Sequence, residues 1–330
     1  MRAMVLKKQK SPLVFEEIPK PQAKDNELLI KINVCGICRT DLHIKDGDLF
    51  HPKLPLVLGH EIVGIIEELG KNVQGFKKGD RIGVPWLGGS CGVCEYCHKG
   101  EENLCDSPQF TGYHIDGGFA EYTTCRADFA IPLPHEISDE QAAPLLCAGL
   151  IGFRAYRKAA PQKQLGLYGF GTAAHILTQL AIQEGKDVYA FTRDGDTKSQ
   201  KFAKDLGAVW AGDSKMQPPS LLDAAIIFAP AGELIPRSLK ALKKGGRCMC
   251  GGIHMSDIPS FHYKDLWGEK SIHSIANLTR KDAKDFFSAI SQFSIQSSIT
   301  SYPLAKANEA LEDLRHGKFH GAAVLHIYTS

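Results

Sequence analysis

The sequence predicts an α/β protein of two domains, a β-rich first part followed by a doubly wound parallel sheet. Three observations predict this. At 330 residues the chain exceeds one comfortable hydrophobic core. Up to about residue 150 the apolar runs are short and broken by Gly and Pro, whereas from 151 to 295 strand-like runs alternate with stretches of helical periodicity. A glycine-rich turn, Gly169-Phe170-Gly171-Thr172-Ala173-Ala174, sits between a strand-like run and a helical one.

In the first part, strands are expected at Arg2–Leu6, Glu27–Ile32, Ile62–Gly70 and across the turn Lys77–Val84, with Pro12, Pro19 and Pro21 marking loops. Many short runs with frequent Gly suggest a folded-over β barrel. In the second part, strands are expected at Gln164–Tyr168, Asp187–Phe191, Asp223–Phe228, Gly246–Cys250 and Ser271–Ala276. Helices are expected at Thr172–Glu184, Lys198–Leu206, Leu234–Leu242 and Lys281–Phe293. Such alternation means a parallel sheet covered on both faces. The last segment, with a helix over Ala305–Arg315 and a strand over Ala323–Tyr328, is expected to return to the first domain. The domains are thus 1–150 completed by 296–330, and 151–295.

Composition narrows the function. The 43% hydrophobic and 23% charged fractions are those of an ordinary globular protein. The net charge of +2, spread along the chain, gives no reason to expect a nucleic-acid or membrane partner. No apolar stretch approaches the roughly 20 residues needed to span a bilayer, and no secretory signal is evident, so a cytoplasmic protein is expected.

The ten cysteines are not spaced like a disulfide framework. Cys91-x2-Cys94-x2-Cys97-x7-Cys105 puts four thiols in one loop among Gly88, Gly89, Gly92 and Gly100. Tetrahedral zinc takes four thiolates at about 2.3 Å, and the last spacing of seven disfavours an iron–sulfur cluster. With no position left for a substrate, such a zinc is structural. Of the remaining thiols, Cys35, Cys125, Cys248 and Cys250 are expected to pack. Cys248 and Cys250 lie on a predicted strand, whose alternating faces argue against a joint metal site.

A second set of residues suggests reactive metal chemistry. Val34 to His43 supplies Cys38, Thr40, Asp41 and His43 within six residues of one another. Gly59-His60-Glu61 and Leu146-Cys147-Ala148 supply more candidate groups. Three nitrogen or sulfur ligands with an open fourth position are what a catalytic zinc requires, though sequence spacing alone does not bring Cys38, His60 and Cys147 together. The glycine turn offers close approach and a helix N-terminus to a dinucleotide pyrophosphate, with Ala174 in place of the third glycine.

Cys35-Gly36-Ile37-Cys38-Arg39-Thr40-Asp41-Leu42-His43, Gly59-His60-Glu61, Val84-Pro85-Trp86, the cysteine lobe, Asp116 to Tyr122, Ala142 to Gly149 and the glycine turn together resemble one family. They are similar to the zinc-dependent alcohol dehydrogenases of the medium-chain dehydrogenase/reductase superfamily, bacterial primary-alcohol type, over nearly the whole length. The resemblance implies a GroES-like catalytic domain and a Rossmann domain. It implies two zinc ions per chain, one catalytic on Cys38, His60 and Cys147 and one structural on Cys91, Cys94, Cys97 and Cys105. Glu61 is then the carboxylate beside the catalytic metal, and Asp41 the acid that orients His60. Thr40 takes the alcohol proton, which passes by way of the cofactor ribose to His43. Trp86 walls the substrate pocket.

Gly169, Gly171, Thr172 and Ala174 are implied to hold NAD(H) or NADP(H), with Arg39 bordering it. At the end of the second Rossmann strand, where NAD-preferring members carry an acid, Thr192 and Arg193 stand instead. That suits a 2′-phosphate unless Asp194 or Asp196 takes over the ribose. The implied partners are a small alcohol or aldehyde and further copies of the chain, as a tetramer or dimer. The expected activity is reversible oxidation of small primary alcohols to aldehydes. The alternatives are a cinnamyl-type aromatic aldehyde reductase using NADPH and a non-enzymatic zinc-binding or sensor protein.

Overall fold

The computed structural model describes residues 1–328 and divides into two compact units. The first comprises Met1–Cys147, Asn277–Ser291 and the segment from Ser297 on; the second comprises Ala148–Ala276 and Gln292–Gln296.

The first unit is built on the strand Glu27–Ile37. Its residues read almost continuously apolar, and Leu28, Leu29, Ile30, Ile32, Val34 and Cys35 are all buried. It pairs antiparallel with Ile62–Leu69 along one edge. Along the other edge its first half pairs with Tyr122–Arg126 and its second half with the C-terminal strand Ala322–His326. The strands Ile131–Pro132, Arg81–Val84 and Ile299–Pro303 extend the sheet to seven. A three-stranded sheet (Val14–Glu17, Arg2–Leu6, Leu56–Val57) folds over the shared core of Met4, Leu6, Ile30, Ile32, Val84 and Leu325. The bridge Ala3–Ala120 stitches the two sheets together. Backbone pairing among the described strands does not close a ring, so the folded-over arrangement is an open one.

The second unit is a Rossmann domain. Six parallel strands lie in the order Trp210–Asp213, Asp187–Thr192, Gln164–Tyr168, Leu222–Ile227, Leu242–Cys250, Ser271–Ser274. In chain order this is 3-2-1-4-5-6, which places the switch point, where dinucleotides bind, beside the end of Gln164–Tyr168.

Several elements differ from the sequence reading. Helix Ala148–Ala159 and strand Trp210–Asp213 were not expected. The first carries Gly149 and Gly152, which weaken a helical signal, and the second is only four residues long. The helix expected at Lys281–Phe293 runs Arg280–Ile290 and groups with the first unit. Arg280 ties it there: its backbone N–H and Nε both donate to the buried Glu102 carboxylate, at 2.9 and 3.0 Å. Cys248 and Cys250, two apart on one strand, share a face. This shared face corrects the argument from alternation, and the Ser238 hydroxyl lies 3.1 Å from Cys248 Sγ.

Candidate active site

The strand Glu27–Ile37 ends at Cys38, which is the N-cap of helix Arg39–Asp46. Asp41, third in that helix, closes a capping box: its Oδ2 accepts the Cys38 backbone N–H at 2.8 Å. His60 follows Gly59, whose φ of +96° admits glycine and few other residues. A Cβ there would lie 2.5 Å from the Phe119 ring and 2.8 Å from Cys35 Sγ. Gly36 has a parallel duty, since a Cβ would fall 1.9 Å from Glu61 Oε2. Cys147 follows the 3-10 turn Ala143–Leu146.

These segments bring Cys38, His60, Glu61 and Cys147 together, their ligand atoms all within 4.8 Å of one another. The Cys38 and Cys147 sulfurs are 3.8 Å apart. Ligands about 2.3 Å from one tetrahedral ion stand about 3.8 Å from each other. His60 is fully buried; its Nδ1 faces Asp41 Oδ1 at 3.2 Å, and its Nε2 has no hydrogen-bond partner. A buried nitrogen left unpaired is costly unless something else fills its lone pair, and Nε2 points among the two thiols and Glu61.

The charges ask for the same filler. A hydrogen bond from the Cys147 thiol, with His60 close by, holds the Cys38 thiol well below its ordinary value. Burial, and then the Cys38 charge, push the Glu61 carboxyl well up. Burial opposes a proton on His60, yet the Asp41 charge and hydrogen bond hold that imidazole well above its usual value. A cluster that crowds negative groups and recruits a buried positive charge fits a divalent cation, and its donor set of two sulfurs and one imidazole fits zinc.

Thr40 Oγ1 is 3.7 Å from Cys38 Sγ, and Trp86 meets the His60 ring edge-on with centroids 5.0 Å apart. His43, one helical turn beyond Thr40, is partly exposed. Its Nδ1 lies 2.8 Å from Asp48 Oδ2. Sequence reasoning missed Asp48. It stands past the helix end, and only the left-handed Gly47 (φ +87°) turns the chain back far enough for the contact.

In the cysteine lobe, Cys91, Cys94, Cys97 and Cys105 also lie within 4.8 Å of one another, with Cys91 and Cys97 sulfurs 4.0 Å apart. Backbone N–H groups of Cys91, Cys94 and Ser107 point at sulfurs at 3.2–3.4 Å. Backbone N–H groups of Asp106 and Cys97 pull the Cys94 thiol down to about 6. Four sulfurs gathered within one ion's reach, three of the contacts supported by backbone N–H groups, fit a second zinc.

Residues 24–135 match the alcohol dehydrogenase GroES-like domain. A probable alcohol dehydrogenase, AdhA, of Mycobacterium tuberculosis is 44% identical over 320 residues, covering 94% of this chain and 91% of the relative. An alcohol dehydrogenase of Geobacillus stearothermophilus is 35% identical over 99% of this chain and all of its own length. The chain belongs to the zinc-dependent alcohol dehydrogenases of the medium-chain dehydrogenase/reductase superfamily. Its fold is that of a cinnamyl alcohol dehydrogenase from Sorghum bicolor (TM-score 0.90, 26% identity, 98% of this chain and 97% of that chain). It equally matches an alcohol dehydrogenase from Aeropyrum pernix (TM-score 0.88, 28% identity, 99% of this chain and 100% of that chain).

The dehydrogenase's second unit carries the glycine turn as a cradle. Gly169 adopts φ +89°, and a Cβ on it would lie 2.9 Å from the Ala229 backbone N. A Cβ on Gly171 would meet nothing within 4 Å, so open space lies over the start of helix Thr172–Gln183, where a pyrophosphate fits. Ala174 is fully buried, as a small residue in close helix packing should be. Thr192 is buried too, its hydroxyl donating to the Arg193 carbonyl at 3.1 Å and accepting from Gln200 Nε2 at 3.1 Å. Arg193 is exposed. Arg39, the first residue of its helix in the first unit, is exposed as well. Among the described residues, no helix is long and apolar enough to cross a membrane.

Proposed function

We propose that this dehydrogenase reversibly oxidises small primary alcohols to aldehydes with NAD(P)+, its first unit carrying the metal chemistry and its second the dinucleotide. The observation that carries the reading is the unpartnered His60 Nε2 facing the Cys38 and Cys147 sulfurs, with the Thr40 hydroxyl alongside. Cys38, His60 and Cys147 would hold a zinc ion, which supplies a Lewis acid that eases loss of the alcohol proton. The nicotinamide, when bound, supplies the hydride acceptor. Thr40 receives the alcohol proton at Oγ1, and His43 returns a proton to solvent from an imidazole whose Nδ1 is fixed by Asp48. Glu61 stands ready to approach the metal while ligands exchange. A second zinc on the four-cysteine lobe stiffens that loop.

For the cofactor we favour NADP(H). The acids near the second strand are already engaged. Asp194 pairs with Lys215, Asp196 caps helix Thr197–Asp205 through the Ser199 N–H, and Asp213 accepts from Gly195 N and Gln200 Nε2. This leaves the exposed Arg193 to meet a 2′-phosphate. For assembly we favour a homo-oligomer, dimer or tetramer, in the cytoplasm. Ser271–Ser274 is an edge strand of the parallel sheet, and Ile258, Tyr263 and Trp267 of the same unit are 50%, 69% and 68% exposed.

The test is the initial rate of nicotinamide reduction by zinc-loaded protein. Ethanol, propanol, butanol and benzyl alcohol are each tried with NAD+ and NADP+. Turnover that is lost in Cys38→Ala supports the site; full activity of that variant sinks it. Arg193→Ala is expected to raise KM for NADP+ about tenfold and leave KM for NAD+ nearly unchanged. Light scattering checks the assembly. A second reading, reduction of aromatic aldehydes, is favoured by the aromatic rings that continue outward from Trp86.

A further inference from the structure

The first unit holds a cavity of about 430 Å³ that the metal chemistry does not use. Its floor is apolar: Leu87, Phe129, Leu278 and Phe287 line it, and all four are buried. Its rim is charged and faces solvent, with Asp128, Arg280 and Lys284 all exposed. Neither Trp86 nor any of the clustered ligand residues Cys38, His60, Glu61 and Cys147 belongs to its wall. The cavity is therefore separate from the place where alcohol would meet metal.

The walls are fixed where they stand. Helix Arg280–Ile290 starts in a capping box, with the Thr279 N–H donating to Asp282 Oδ2 at 2.7 Å, and Glu102 holds Arg280. The lining residue on its first turn is Ala283, which has no bulk beyond Cβ to fill the space. The charges are settled in the same way, with one exception. Arg126 donates to both Asp128 oxygens, at 3.0 and 2.8 Å, and Arg280 Nη1 lies 3.3 Å from Asp128 Oδ2. Both guanidinium groups also lie over the Phe129 ring, at 5.0 and 4.8 Å. Among the described residues, no ion pair holds the Lys284 ammonium. The acids beside it on the helix, Asp282 and Asp285, are engaged by Thr279 and Lys281. Arg126, Arg280 and Lys284 thus face only Asp128 and Glu102, which leaves the rim one positive charge in excess.

We propose that this cavity binds an apolar monocarboxylate, its alkyl or aryl body on the floor of Phe129 and Phe287 and its carboxylate on Lys284. An apolar hollow of this size with a few polar groups at one side is the usual form of a small-molecule site. The floor asks for a carbon body, because covering apolar surface is favourable roughly in proportion to its area. The rim asks for an anion. A single charge in excess matches one carboxylate, whereas a phosphate dianion would bring a second negative charge with no cation left for it. Lysine suits the task, since its ammonium is a point charge on a flexible stem that can follow ligands of different length. The site stands on residues outside the metal cluster and does not depend on the dehydrogenase reading.

The experiment is calorimetric titration of hexanoate into the zinc-loaded protein, without cofactor, beside acetate and hexylamine. Hexanoate is expected to bind at one site per chain. Acetate, which lacks the body, and hexylamine, which reverses the charge, should each bind at least about tenfold more weakly. Lys284→Glu should weaken hexanoate about tenfold or more, and Lys284→Arg, which keeps the charge, less than about threefold. Lys284 is exposed, so both variants should fold as wild type does. Ala283→Leu, which adds bulk to the wall and leaves Lys284 in place, should also weaken hexanoate. Cys38→Ala, which removes a metal-cluster thiol, should leave hexanoate affinity within about twofold. No hexanoate binding, hexylamine binding as tightly as hexanoate, or unchanged affinity in Lys284→Glu overturns the site. Binding that is lost in Cys38→Ala and kept in Lys284→Glu puts the carboxylate on the metal cluster and overturns it as well. Turnover of alcohols tests the dehydrogenase reading separately, whatever these titrations give.

Discussion

The Asp41 carboxylate joins two ligand-bearing segments at once: Oδ2 accepts the Cys38 N–H at 2.8 Å, while Oδ1 lies 3.2 Å from His60 Nδ1. Oδ1 also takes the Gly59 N–H, at 3.2 Å. One buried side chain thereby fixes the helix start that presents Cys38, the turn that presents His60, and the tautomer that leaves Nε2 free. Replacing it with asparagine keeps the size but removes the charge that favours a cation. Asp41→Asn is expected to lower affinity at the catalytic zinc site by about 10–100-fold. Competition with a chelator measures this; unchanged affinity would deny Asp41 the orienting role.

Asp48 predicts a different phenotype. Its carboxylate meets the His43 ring and is not among the clustered metal-ligating groups, and so should govern proton release but not metal binding. Asp48→Ala is expected to lower kcat about tenfold with zinc content intact, a fraction of the 10²–10⁴ that a general acid or base contributes. Steady-state kinetics beside metal analysis decides it, and a loss of zinc would contradict the assignment.

The cysteine lobe should be separable from catalysis. Cys94→Ser is expected to bind one zinc per chain where wild type binds two, and to unfold at lower temperature, with early turnover per catalytic zinc preserved. Elemental analysis and a thermal scan test both parts. Two zincs retained in the variant would remove the lobe from the metal count.

His175 sets a pH limit on stability. It lies in the helix that follows the glycine turn, fully buried, with neither ring nitrogen hydrogen-bonded. Burial pushes its imidazole down to about 4. The unfolded chain, titrating near 6.5, then binds the proton more tightly than the folded one. The folded state keeps its full stability above pH 6.5 and loses it as pH falls toward 4, by up to about 3 kcal/mol from this group. Urea midpoints between pH 7 and 4.5 should drop less steeply in His175→Leu than in wild type. Parallel curves would show that another group controls the acid limb.

Much of the site was legible because its parts are local in sequence. Four cysteines within one loop can meet whatever the rest of the chain does, so their spacing alone led to the expectation of a four-thiol cluster, and the four sulfurs do gather. The glycine turn was readable for the same reason: strand, turn and helix are contiguous, and Gly169 needs its positive φ in any tertiary setting. The motif around Cys38, Thr40, Asp41 and His43 carried the family resemblance, and the comparisons bear that resemblance out. The helix Ala148–Ala159 was missed because its glycines weaken the local signal that packing overrides.

What the amino-acid sequence determined by itself was composition, periodicity and the motifs whose atoms are neighbours along the chain. Only the tertiary structure decided that Cys147 comes to 3.8 Å from Cys38, 109 residues away, and that Arg280 draws its helix to Glu102. It also decided that Asp48 reaches His43 and that Phe110 and Tyr113 continue the ring of Trp86. The physical reason is common to all of these. Hydrogen-bonded turns and ligand loops are set by torsions of adjacent residues, whereas contacts across long loops depend on which sheet edges pair and which apolar faces are buried together.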